Sequence, residues 1–144
     1  MKKILFVCKH NIFRSRVAEN LFNKLNKNKR YRASSAGIIL WTKKDASKEP
    51  GYIAEGRAAR NFGINLILNS KPITSSLLKE TDILIIVADD VSEKLIKTEQ
   101  AFNGRVLVWK IPDVKRWDNN KEKRAEKTIK YIEKEVKKLV KNLK

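Results

Sequence analysis

Of the side chains that form disulfides and bind transition metals, this sequence of 144 residues has one cysteine, Cys8, and one histidine, His10. A single thiol excludes an internal disulfide and a cysteine-rich zinc site, and a single imidazole excludes a histidine cluster. Neither a metal nor a cofactor is therefore expected. Three prolines and five glycines are too few for a collagen-like, proline-rich or low-complexity chain. No segment approaches the roughly 18 consecutive apolar residues of a membrane span, so no membrane partner is expected. The first apolar run meets Lys9 and His10 too soon for a secretory leader, which predicts a cytosolic, cytoplasmic protein. Internal repeats, zinc-finger spacings and the aromatic signature of an RNA-recognition module are also missing.

What the chain has in excess is positive charge: 33 Lys and Arg against 16 Asp and Glu, a formal +17. Residues 1–35 hold ten of those cations against Glu19 alone. Such a balance favours anionic partners, yet Lys-rich faces also serve solubility, and charge by itself selects no ligand. The segment 110–144, with thirteen basic and six acidic residues, keeps open a basic nucleic-acid-binding module. Against nucleic acid as a partner stands the alternation of those cations with Glu along a helix whose other face must pack. Nothing in the pattern bears on oligomeric state.

At 42% hydrophobic the chain has the length for one sizeable core and not two, so 1–144 is read as a single domain. Continuous apolar runs at Ile4 to Val7, Ile83 to Val87 and Val106 to Trp109 predict strands covered on both faces, as in a parallel sheet. A weaker fourth, Tyr31 to Ser35, ends at Ala36-Gly37, where glycine suits a turn. Between them lie helix-period stripes. Val17, Ala18, Leu21, Phe22 and Leu25 form one, and Ala54, Ala58 and Phe62 a second that Gly63 would cap. Val91, Leu95, Ile96 and Phe102 predict a third behind a Ser92 cap. The clearest runs Ala125, Ile129, Ile132, Val136, Leu139, Val140, Leu143. The expected fold is α/β: an open parallel four-stranded sheet with helices on both faces. Ligands in such folds sit outside the carboxyl ends of the strands. The segments to inspect are then Cys8 to Ser15, Ser34 to Trp41, Ala88 to Asp90 and Pro112 to Asp118.

The first of these, Cys8-Lys9-His10-Asn11-Ile12-Phe13-Arg14-Ser15, places Cys-x5-Arg-Ser at a strand-to-helix turn. A loop of that length can aim several backbone N–H groups at one centre, and the following helix adds its positive end. Arg14 can grip two phosphate oxygens with its fork, and the same field favours the reactive thiolate of Cys8. The Ser15 hydroxyl is placed to hydrogen-bond that sulfur. With nine Arg in the chain the bare spacing is weak evidence; the strand before, the helix after and the adjacent Ser strengthen it.

These residues resemble the low-molecular-weight protein tyrosine phosphatases, whose relatives include thioredoxin-coupled arsenate reductases. The family signature runs Cys-x-Gly-Asn-x-Cys-Arg-Ser, with a general-acid Asp, usually in Asp-Pro, toward the other end of the chain. The resemblance spans most of the sequence. It implies Cys8 as nucleophile, Asn11 as loop stabiliser, Arg14 as phosphate ligand, Ser15 as support for the thiolate and Ser35 as a partner of Asn11. Asp113, in Ile111-Pro112-Asp113, falls at the general acid. Lys9, His10, Asn11, Ile12, Phe13, Arg14 and Ser15 would form the phosphate-binding loop. Trp41 and Trp117 are candidate pocket walls, the former near a family position with that role.

The resemblance further implies a phosphatase that hydrolyses phosphate monoesters, phosphotyrosine on proteins foremost, through a phosphocysteine intermediate. Its partner is a phosphorylated protein or a small phosphate ester. The sequence departs from the family at His10, which replaces a Gly, and at Phe13, which replaces a second Cys. It departs again at Val114-Lys115-Arg116-Trp117, where the family has Pro and paired aromatics. Without further cysteines the arsenate reductase cycle has no redox partner, and Cys8 is open to over-oxidation. A catalytically weakened phosphate- or oxyanion-binding protein remains the alternative reading. Asp89, Asp90 and Asp118 compete with Asp113 for the role of acid.

Overall fold

Two continuous apolar runs of the chain, at Ile4 to Val7 and Ile83 to Val87, become its interior strands. In the computed structural model, which describes residues 1–39, 47–48, 51–66, 70–98, 100–115 and 117–144, β1 (Lys2–Cys8) lies between β2 (Tyr31–Gly37) and β3 (Ile83–Val87). β4 (Arg105–Trp109) follows β3, and every neighbouring pair is parallel. Interior strands in a parallel sheet are covered twice, which is why Ile4 through Cys8 are all buried.

Alternation along the strands divides the core in two. Ile4, Phe6, Ile85 and Val87 face one side, where they meet α1 (Arg14–Leu25), α2 (Tyr52–Asn61) and α5 (Lys121–Asn142). Leu5, Val7, Leu84 and Ile86 face the other, beneath α3 (Ser75–Glu80) and α4 (Glu93–Thr98). The expected open sheet with helices on both faces is what forms. Burial of each large side chain in these layers contributes about 1.5–3 kcal/mol.

The long stripe predicted near the end of the chain is the buried face of α5, with Ala125, Ile129, Ile132 and Val136 fully enclosed. Asn120 caps it through its side chain, which accepts from Lys123 N–H at 3.0 Å. α2 ends as its glycine predicts: Gly63 has φ 74°. Gly63 N–H reaches Arg60 O and Ile64 N–H reaches Ala59 O, a Schellman closure.

Two helices differ from the expectation. α4 closes at Thr98, and Phe102 packs outside it, against the underlying sheet face and over Gly104, where an added Cβ would fall 2.3 Å from the ring. α3 carries no sequence signal, because only Leu78 of its six residues is buried. Thr74 starts it by accepting from Leu77 N–H at 3.1 Å.

Cys8 pairs with Gly37 in the β1–β2 register, and Val87 pairs with Trp109 in the β3–β4 register. The segments that leave these four ends share one edge of the sheet.

Candidate active site

β1 stops at Cys8, and the chain turns through 9–13 before α1 begins at Arg14. The first helical bond runs from Val17 N–H to Phe13 O at 2.8 Å. The amides of Arg14, Ser15 and Arg16 therefore precede the helical ladder, and Phe13 supplies no side-chain cap. Amides in that position carry the positive end of the helix dipole, a site for an anion.

The turn depends on Asn11, which takes the left-handed backbone conformation at φ 55° and is fully buried. Its Nδ2 donates to Ser15 Oγ at 2.7 Å and to Ser35 Oγ at 2.9 Å. Its Oδ1 accepts from Lys71 N–H at 3.0 Å. Its carbonyl accepts from Arg16 Nε at 3.0 Å and Ser70 Oγ at 3.3 Å. The hydroxyl of Ser35 donates in turn to Glu19, and Ser15 Oγ lies 3.0 Å from Cys8 Sγ. Within the described residues, His10 is not among those with positive φ, so His in place of the family's Gly carries no left-handed strain. Its Nδ1 lies 3.3 Å from Ile39 O. Burial lowers the His10 pKa, with Lys9 adding to the effect and Ile39 O, Asp113 and Asp90 opposing it.

The second strand approaches this loop so closely that Gly37 has no room for a side chain. A Cβ there would lie 2.7 Å from His10 C and 2.8 Å from Asn11 N. Glycine at this position answers a close approach, where the sequence suggested a turn. Gly37 also bridges to Pro72, with Gly37 N–H bonding Lys71 O at 2.8 Å, which ties the 70–73 segment alongside.

Arg14 is 2% exposed and held from the far strands. One terminal nitrogen donates to Ile111 O at 2.9 Å, and the other lies 3.1 Å from Asp90 Oδ1. Asp89 and Asp113 each approach within 3.8 Å. Burial works against its charge, but Cys8, Asp113 and Asp90 outweigh that cost and raise its pKa. The aspartates after β3, read as rival acids, are thus partners of the guanidinium.

Cys8, His10, Ile12, Phe13, Arg14, Gly51, Glu55, Asp113 and Val114 line one cleft at this edge, with about 390 Å3 of empty space open to solvent. Asp113 sits in it with its Oδ1 accepting from Val114 N–H at 2.9 Å. Asp118 instead closes a turn by accepting from Lys115 N–H at 2.6 Å and does not line the cleft. That turn carries Trp117 outward, where it is 76% exposed and outside the cleft. Trp41 lies outside the described residues. Lys9 is half-buried and does not line the cleft, whereas Phe13 is buried in the core beneath it. Sequence reasoning missed Glu55, Gly51 and the 70–73 segment, none of which stands in a motif. Among the described residues no group of three or more His, Cys, Asp or Glu is placed to hold a metal ion. No helix among them is long and apolar enough to cross a membrane.

Fold and loop together set a cysteine and a buried arginine beside the N-terminus of a helix, in one cleft. The family model for low molecular weight phosphotyrosine protein phosphatase matches residues 3–144, and the chain belongs to that family. It is accordingly a phosphatase of the cysteine-based kind. Among solved structures it is similar to the tyrosine phosphatase Wzb from Escherichia coli K30 in complex with sulphate, at 22% identity and a TM-score of 0.77, covering 99% of each chain. It is similar to arsenate reductase from Archaeoglobus fulgidus at 28% identity and TM-score 0.66, covering 96% of this chain and 99% of that one. The YwlE arginine phosphatase from Geobacillus stearothermophilus matches at 15% identity and TM-score 0.71, covering 96% of this chain and 93% of its own. No curated protein sequence matches.

Proposed function

We propose that residues 1–144 act as one domain that hydrolyses phosphate monoesters, phosphotyrosine on proteins foremost, through a phosphocysteine intermediate. The reading rests on one observation: Cys8, Arg14 and Asp113 line the same cleft, at the loop that leads into the N-terminus of α1. In this scheme the Cys8 thiolate attacks phosphorus as the bond to the leaving oxygen breaks, and Asp113 gives that oxygen its proton. Arg14 and the amides of Lys9 to Ser15 receive the phosphoryl oxygens, and Ser15 supports the sulfur. A water then attacks phosphorus while the Asp113 carboxylate takes its proton. Phosphate leaves, and the thiolate returns. No step calls on a metal or cofactor.

An aryl ester as substrate is supported by Ile12 and Val114, which line the cleft with apolar groups. The lone thiol speaks against an arsenate reductase cycle, which requires further cysteines. Phosphoarginine is a second reading, favoured by the carboxylates of Asp89, Asp90 and Asp113 around Arg14, which suit a cationic leaving group. We assign the protein to the cytosol, where a single thiol stays reduced.

Hydrolysis of p-nitrophenyl phosphate in the presence of a chelator tests the reading. Wild type should turn over and Cys8→Ser should not. Phosphate binding without turnover by wild type would leave the oxyanion-binding alternative. Phosphotyrosyl and phosphoarginyl peptides, compared by kcat/KM, then decide the substrate.

A further inference from the structure

The only acidic residue in 1–35 sits at the end of the hydrogen-bond chain that leads to the sulfur. The geometry points to Glu19 as a positioning residue for Cys8: its carboxylate fixes the direction of the chain Ser35–Asn11–Ser15, leaving the Ser15 hydroxyl to donate to Cys8 Sγ. This rests on the reading of Cys8 as a nucleophile used in its thiolate form.

Donor and acceptor chemistry sets the direction. An ionised carboxylate only accepts, so the Ser35 hydrogen is committed to Glu19. The Ser35 oxygen is then free to accept from Asn11 Nδ2. The second hydrogen of that nitrogen goes to Ser15 Oγ, which leaves the Ser15 hydrogen for Cys8 Sγ at 3.0 Å. At the opposite end the backbone N–H of Lys71 only donates, and it holds Asn11 Oδ1 at 3.0 Å. One end of fixed acceptor and one of fixed donor clamp the amide between them.

The competing arrangement turns the Asn11 amide around. Ser15 and Ser35 would then both donate to its oxygen, and Cys8 would lose its donor. With Glu19 in place that state costs the Ser35–Glu19 bond and sets two N–H groups against each other at Lys71. Removing Glu19 removes the first penalty. Asn11, Ser15 and Ser35 are fully buried, so water does not readily substitute for a missing partner, and buried networks of this kind respond as units.

Other charges act on the same sulfur and must be held constant. They are Arg14 and Arg16 on α1, which interact with Cys8 directly; around them stand His10, Glu55 and Asp113 lining the cleft, Lys9 beside His10, and Asp89 and Asp90 on Arg14. Arg16 faces Glu19 as well as Cys8. Loss of the glutamate charge alone should ease thiolate formation by removing a repulsion. The network predicts the opposite sign, and the two effects are therefore separable.

The test is the rate of Cys8 alkylation by iodoacetamide against pH, which needs no substrate. Glu19→Ala should react about fivefold more slowly near pH 6, with its acid limb displaced to higher pH. Glu19→Gln keeps an acceptor oxygen and should recover most of the wild-type profile. In a Ser35→Ala background, which cuts the chain, Glu19→Ala should no longer slow alkylation, and only the charge effect, toward lower pH, should remain. A Glu19→Ala profile that overlays wild type, or moves to lower pH, overturns the proposal even if the melting temperature falls. Should the alanine variant not fold, Ser35→Ala, which cuts the chain and keeps the charge, replaces it, and a Ser35→Ala profile that overlays wild type or moves to lower pH overturns the proposal equally. If Cys8→Ser retains phosphatase turnover, the nucleophile reading itself has failed, whichever alkylation profile is found.

Discussion

The guanidinium of Arg14 lies 3.1 Å from Asp90 Oδ1, so the arginine of α1 to which we assign phosphate binding is steadied by the loop after β3. A fork that must meet a tetrahedral anion gains from being aimed in advance, because misplacement is costly in rate. Asp90→Ala should lower kcat/KM for p-nitrophenyl phosphate by about tenfold, and Asp90→Asn, which keeps an accepting oxygen, by less. Arg14→Lys should be worse than either, losing about a hundredfold along with inhibition by inorganic phosphate. Steady-state kinetics with phosphate as a competitor reads all three.

Asp113 and Asp118 separate by their hydrogen bonds. If Asp113 protonates the leaving oxygen, Asp113→Asn should slow phenyl phosphate about a hundredfold while sparing esters of acidic phenols. Asp118→Asn should instead affect the melting temperature, through the turn that its carboxylate closes at Lys115. A series of aryl phosphates graded by leaving-group acidity checks the pair.

Two glycines make contrasting demands. Gly37→Ala forces a Cβ to within 2.7 Å of the backbone of the 9–13 loop and should cost about 1–3 kcal/mol, together with most of the activity. Gly63→Ala places alanine at φ 74° and should cost about 1 kcal/mol with turnover unchanged. Chemical denaturation measured beside turnover separates the two.

His10 gives the cleft a pH response. Its pKa is lowered in the folded protein, chiefly by burial, so the unfolded chain binds the proton more readily. Above the ordinary value of about 6.5 neither state is protonated, and the residue is neutral in the balance. Stability is lost as pH falls from there through the lower folded value. His10→Gln should flatten the fall in melting temperature between about pH 7 and pH 5. Calorimetry across that range measures it.

The sheet was legible because its strands are buried on both faces and write continuous apolar runs. α5 was legible because a long helix repeats its stripe many times. α3 was not, since one buried leucine in six residues has no period. At the cleft and in the buried network beneath it, the gathering of Cys8, Asn11, Arg14, Ser15 and Ser35 was readable from local order and resemblance. The pairings that the fold makes at a distance were not: Asp90 reads as a rival acid and not as a partner of Arg14, and Lys71 contributes through its backbone, which no side-chain pattern encodes.

The ties of Asn11 to 35, 70 and 71, and those of Arg14 to 90 and 111, close loops of 24 to 97 residues. Entropy delays such long closures until most of the structure around them exists. A partly assembled chain would therefore lack the Ser15 partner of the sulfur, and only the finished one holds it. The rate at which the sulfur captures a reagent during renaturation thus becomes an internal clock for the arrival of the last strand.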